Sequence, residues 1–295
     1  MPGFDPTAIV QVLIGGIGNG AVYGLVGLGF SLIYRSTGAV NFAQGEWVML
    51  AGMAAAAGFV ARWPLPVAAA AALLLVAVVG IVTYQVGVRR LREPTPLLVT
   101  MVSIGIAIFT KGAVMVTLGK NPNGYPGVFG DALVRMGEVS VPAQTLIVIG
   151  ACVAFVAALH LLFARSRVGL ALRASAADAD AAALVGISVR RMVMLSFALA
   201  AAAGAVAGLV VTPLTLISYD QGTMLGFKGF SAAMLGGMGS PLGAVAGGLI
   251  LGAIEAVSSY QISSRFKDAV AFVLFLGVLF VRPQGLFGRK PGERV

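Results

Sequence analysis

Charge is scarce in this chain. Of its 295 residues only 11% are Asp, Glu, Lys or Arg, while 59% are hydrophobic and the mean hydropathy is +0.97. That leaves too little polar surface to cover a water-soluble globule, and the chain belongs in a bilayer. Cysteine is scarcer still: Cys152 stands alone in mid-segment, which excludes an intramolecular disulfide and leaves no redox or zinc motif. The single histidine, His160, lies near the inner end of its segment and suits packing or an interface better than a proton relay. No G-x-x-x-x-G-K-[S/T] loop occurs, so nucleotide phosphates would find no backbone cradle and no lysine. No catalytic cluster emerges either. No Lys or Arg precedes the first apolar run, and that run is too long for a signal-peptide core; it is expected to remain as a membrane helix. The net charge of +9, which in a soluble protein would suggest nucleic acid, is explained here by basic cytoplasmic loops.

What is present is a series of apolar runs, and a helix needs roughly 20 residues to cross about 30 Å of hydrocarbon. The longest are Pro6 to Tyr34, Trp63 to Val88, Val139 to Ala164, Met192 to Tyr219 and Gly229 to Ile254. Leu97 to Gly119, which holds Lys111, and the shorter Trp47 to Ala61 and Ala269 to Val281 complete a set of about eight. They are continuous rather than alternating, which predicts an all-α polytopic bundle and not a barrel. Many of the forty glycines sit inside these runs. Gly16, Gly20 and Gly24, then Gly204 with Gly208, then Gly239, Gly243 and Gly247, recur every four residues and predict close helix packing.

Basic residues cluster at Arg89 to Arg92 and at Arg165 to Arg191, which puts both loops in the cytoplasm and the amino terminus outside. The near-neutral stretch Lys120 to Glu138, which includes Asp131, reads as an outer loop. The tail, with Arg282, Arg289, Lys290, Glu293 and Arg294, also reads as cytoplasmic, so an even number of crossings must follow Arg191. The region Leu225 to Val257 must then cross zero or two times. Gly236, Gly237, Gly239, Ser240 and Pro241 interrupt it, which predicts a re-entrant hairpin or two short half-helices, with one kinked span as the alternative. The segment Val257 to Lys267 would face outside.

Between Arg165 and Arg191 lies RASAADADAAALVGI, too polar at its start for the membrane yet rich in alanine. Ser175 with Asp178 three residues on predicts a helix start, and Gly186 a left-handed end, with a short helix from Ala176 to Val185 between them. Such a helix suits a groove on a cytoplasmic partner.

Asp180, Ala181, Ala182 and Gly186 also resemble the E-A-A-x3-G loop of ABC importer permeases, with Asp in place of Glu. Gly20 to Gly52, Gly226 to Ala256 and Val281 to Gly288 are similar to the LivH-type permeases of branched-chain amino acid importers. The resemblance spans nearly the whole chain and implies a permease of the bacterial inner membrane carrying leucine, isoleucine or valine. It implies two cytoplasmic ATPases that bind ATP and Mg, a second related permease and a periplasmic binding protein. It also makes the loop at about 165–191, with Ala177, Asp178, Asp180, Ala181, Ala182 and Gly186, the ATPase-docking element. Related permeases carry urea or short amides.

The rival class is an ion-coupled carrier, which uses intramembrane Asp, Glu or His relays. Glu46 and Glu255 read as lying near span ends, and Lys111 near enough to the outer surface to snorkel. Neutral polar residues suit a zwitterionic substrate, and Asn19, Tyr23, Asn41, Gln44, Thr100, Ser103 and Thr110 are the candidates for the pathway. Trp47 and Trp63 are expected to mark the two interfaces flanking the second segment.

Overall fold

Charge-free runs of Leu, Val, Ile and Ala fold as helices because, in hydrocarbon, each backbone N–H must find its partner within its own segment. In a computed structural model, which describes residues 6–130, 132–261, 267–282 and 284–288, the chain forms α1 (Pro6–Thr37), α2 (Gln44–Val60), α3 (Leu65–Val82) and α4 (Pro96–Thr117). A two-stranded antiparallel hairpin, β1 (Leu133–Met136) and β2 (Val139–Pro142), leads into α5 (Ala143–Arg165). Two short helices, α6 (Arg167–Ala177) and α7 (Ala179–Leu184), precede α8 (Val189–Val211), α9 (Gln221–Gly236), α10 (Pro241–Gln261) and α11 (Lys267–Val281). The expected Asp131, the tail charges from Arg289 onward and residues 262–266 lie outside the described residues. The outer segment expected from Val257 is helical as far as Gln261, as the end of α10.

Six of these helices are long and apolar enough to cross a membrane; α2, α9 and α11, of 17, 16 and 15 residues, are shorter. The division differs from the expected eight because the Gly/Pro interruption splits one apolar run into α9 and α10, and α9 starts well before that run, at Gln221. Gly237 (φ 104°) and Gly239 (φ 86°) take backbone conformations that L side chains avoid, Ser240 Oγ accepts from Gly243 N at 3.2 Å, and Pro241 opens α10. α9 and α10 fold back on each other there.

Small residues set the packing. An added Cβ at Gly20 would lie 2.7 Å from Gly248 O of α10, and one at Gly24 3.1 Å from Val245, so α1 and α10 meet backbone to backbone along the face that Gly16, Gly20 and Gly24 share. Gly204 and Gly208 of α8 face α2 in the same way, at Gln44 and Val48. Gly239 is the exception. It lies in the turn and not on the α10 face that Gly243 and Gly247 press against α9.

α2 does not begin at a membrane surface. The Gln44 side chain donates to Ala200 O at 2.9 Å, and Ala200 is about 17 Å along α8 from its start. Residues 38–43 therefore descend as non-helical chain between α1 and α2, which hydrocarbon tolerates only where protein satisfies the backbone. It does so here. Phe42 N donates to Ser103 Oγ at 3.0 Å, Ala43 N to Asn41 Oδ1 at 3.2 Å, and Ala39 N to Thr37 Oγ1 at 3.2 Å. Trp47, one turn into α2, is consequently not an interface anchor: it is fully buried against Phe197 of α8, with ring centroids 6.5 Å apart. Trp63 is half exposed in the loop before α3.

One end of the bundle gathers several elements. Gly239 packs against Tyr34 at the end of α1, and Leu286 N and Phe287 N donate to Leu235 O and Gly236 O of α9 at 2.8 and 3.1 Å. Arg35, Ala176, Ala177, Ser240 and Phe287 border one cleft there, of about 550 Å³.

Candidate functional site

The loop between α5 and α8 sits at this end. Ser166 caps α6, its Oγ accepting from Gly169 N at 2.8 Å. The cap expected at Ser175 is not formed, because α6 runs through that residue and its hydroxyl donates to Leu172 O at 3.2 Å. Asp178 caps the next helix instead, its Oδ1 accepting from Asp180 N and Ala181 N at 3.0 and 2.9 Å. The helix is thus six residues, Ala179–Leu184, rather than the ten expected from Ala176 to Val185. Its end matches the expectation: Gly186 has φ 84°, Gly186 N donates to Ala183 O and Ile187 N to Ala182 O, both at 3.0 Å, which is the paired closure of a left-handed cap. Ala182 is buried. Ala177, Asp178, Asp180, Ala181 and Gly186 are exposed, as are Leu184 and Val185, so α7 presents an acidic and apolar surface away from the bundle.

The polar residues of the interior divide between two roles. Asn41, Gln44 and Ser103 hold the descending segment and the start of α2, as described, and Thr100 Oγ1 donates to Pro96 O at 2.9 Å within its own helix. Asn19 is exposed on α1. Thr110 is buried beside an otherwise mostly apolar groove of about 440 Å³ between α3 and α4. That groove ends at Thr83–Val88, where α3 passes into a π-helical turn against α8.

Tyr23 belongs to a different group. Lys228 Nζ of α9 donates to its hydroxyl at 3.1 Å and to Glu255 Oε1 of α10 at 2.8 Å, with only 10% and 7% of the two charged side chains exposed. Glu255 is therefore buried between helices, six residues before α10 ends at Gln261. Glu46 is interior too. It lies in the first turn of α2, 3% exposed, and accepts from Thr223 Oγ1 of α9 at 2.8 Å. α2 and α9 cross at this point with Gly45 against Gly222 and Gly226. Lys111 of α4 lies on the same side, its Nζ 5.8 Å from the centre of the Tyr219 ring. Close by, in the loop before α9, the Ser218 hydroxyl donates to Asp220 and holds its carboxyl below the usual carboxylate range.

Comparison with known proteins fits this architecture. Residues 12–279 match the family described as the branched-chain amino acid transport system permease component. The chain belongs to that family. LivH of Salmonella typhimurium, a high-affinity branched-chain amino acid transport system permease protein, is 36% identical to this permease over 97% of each chain. BraD of Pseudomonas aeruginosa, named likewise, is 34% identical over 97% of this chain and 98% of its own. Among solved structures, PsaBC of Streptococcus pneumoniae in complex with Fab shares the fold, with a TM-score of 0.52 at 15% identity, covering 93% of this permease and 92% of that chain.

Sequence reading of the permease missed Lys228 entirely. The hairpin makes it findable. Gly236 abuts Gly243 and Ala232 abuts Gly247, so the arms run antiparallel with Lys228 opposite Leu251, and a lysine reaches one turn further, to Glu255. A lone Lys and a lone Glu, each in an apolar arm of a Gly/Pro-broken run, were the available signal.

Proposed function

We propose that this chain is the membrane-spanning permease subunit of an ATP-driven importer for branched-chain amino acids. It works with two cytoplasmic ATPases that bind ATP and Mg, a second related permease and a substrate-binding protein outside the membrane. The observation that carries this reading is the 36% identity over 97% of the chain to a permease of a branched-chain amino acid transport system. The sequence supports it independently, since a chain with no phosphate loop needs its nucleotide chemistry from a partner. The exposed α7, closed at both ends by capping and bearing Asp180, Leu184 and Val185 on its surface, is the element on which we expect the ATPase to seat. Its end of the bundle collects Arg35, Arg173 and, in the first turn of α8, Arg190 and Arg191, which supports a cytoplasmic assignment for that end.

The buried Lys228–Glu255 pair taken alone favours an ion-coupled carrier, and one experiment separates the two. Reconstituted with its partners in proteoliposomes, the chain should take up leucine only with ATP inside the vesicles or at the ATPase face, and uptake should persist when the proton gradient is collapsed at constant ATP. Valine and isoleucine should compete, urea and acetamide should not. Uptake that stops with the gradient would favour the carrier.

A further inference from the structure

A carboxylate buried in a membrane protein without a full set of partners is costly, and it persists where something charged is brought to it. Glu46 is such a group. It is 3% exposed, Oε1 accepts from Thr223, and Oε2 has no hydrogen-bond partner among the described residues. It borders a cavity of about 420 Å³ between α2, α4 and α9, within the size range of small-ligand sites. Lys111 reaches the same cavity from α4 and acts electrostatically on Glu46. The remaining walls are apolar: Phe42 from the descending segment, Ile108 from α4 and Phe227 from α9, the last two partly exposed at the mouth. An acid and a base at separate points of an otherwise hydrocarbon-lined space match a small molecule that carries one positive group, one negative group and an aliphatic branch.

We infer that this cavity is a membrane-embedded binding site for an aliphatic amino acid zwitterion, with Glu46 taking the ammonium, Lys111 the carboxylate, and Phe42, Ile108 and Phe227 the branched side chain. The inference rests on the permease reading and adds to it the residues that contact substrate inside the membrane. Thr223 holds the Glu46 carboxylate through Oε1 while Oε2 packs against Gly222, so the carboxylate meets the cavity beside Thr223, which also lines it. The pair of charges lets a zwitterion leave water without stranding either of its own charges.

The test uses the assembled importer in nanodiscs, with the binding protein omitted, and measures radiolabelled leucine together with competition by leucinol, which lacks the carboxylate, and by 4-methylpentanoate, which lacks the ammonium. Wild type should bind leucine saturably. Lys111→Met should weaken leucine tenfold or more while leaving leucinol competition within twofold, and Glu46→Gln should weaken leucine similarly while leaving 4-methylpentanoate within twofold. Ile108→Trp, which fills the cavity, should weaken leucine more than alanine. If Glu46→Gln does not assemble, Lys111→Met at its partly exposed position carries the test. The site is refuted if wild type shows no saturable binding, if both charge variants bind leucine as wild type does, or if each weakens leucine and its matched analogue equally. ATP-dependent leucine uptake by wild type judges the permease reading separately, so the two can fail independently.

Discussion

Lys228→Met deletes the cation from a pair whose charged atoms are 2.8 Å apart and nearly sealed from solvent. At that separation and an effective dielectric of about 20 the attraction is roughly 6 kcal/mol, much of it offset by the cost of desolvating both groups. Removing one partner keeps the desolvation cost of the other, so the single variant should lose about 3–5 kcal/mol. Glu255→Leu alone should cost a similar amount. The double variant Lys228→Met/Glu255→Leu replaces both charges with apolar groups in an already apolar hairpin and should return to within about 2 kcal/mol of wild type. Equilibrium unfolding in mild detergent, read out on all four members of the cycle, gives the coupling. Additive losses, or single variants within about 1 kcal/mol of wild type, would refute the argument that the pair is a mutual neutralisation that ties α9, α10 and Tyr23 together.

Gly186→Val forces a branched residue into φ 84°, where open space surrounds the Cβ position but the backbone itself is strained, and should cost on the order of 1 kcal/mol or more locally. With Ala181→Trp, it should abolish transport and reduce ATPase co-purification while membrane insertion and the permease partner are retained; normal transport in both would make α7 a plain connector. Gly45→Leu drives a side chain into the α9 backbone, where an added Cβ would already meet Gly226 Cα at 2.6 Å, and overpacking there should lower stability by about 1–3 kcal/mol in thermal unfolding. In a Cys152→Ala background, Glu138→Cys on the β hairpin should react with an impermeant thiol reagent in intact cells and Val185→Cys only in inverted membranes; the reverse pattern would invert the topology.

The glycine seam, the break near Pro241 and the left-handed close at Gly186 were legible because each is a local rule: spacing on a helix face, a missing donor, a missing Cβ. Depth was not. Nothing in NFAQGEW states that α2 starts halfway through the bundle, since the Ser103 and Ala200 groups that satisfy it lie 61 and 156 residues away. The same blindness turned Trp47 into an expected interface anchor and placed Glu46 near a span end. Ser175 failed as a cap for a related reason: Asp178, three residues on, offers a carboxylate to two backbone donors, and the helix before it had no cause to stop. Of the neutral polar residues expected along a pathway, Asn41, Gln44 and Ser103 hydrogen-bond to backbone groups, which a pattern of residue types does not reveal.

The strap from Gln284 to Gly288 closes carbonyls on α9 that precede it by about fifty positions. During synthesis α9 and α10 are complete long before those donors exist. Until they arrive, Leu235 and Gly236 must bond to water, so that end of the hairpin has to stay wet while the rest of it is already in the bilayer. Order of assembly is thereby written into the fold: the turn at Gly237 to Ser240 waits for its last partners, and the strap fixes it only after α11 has been made.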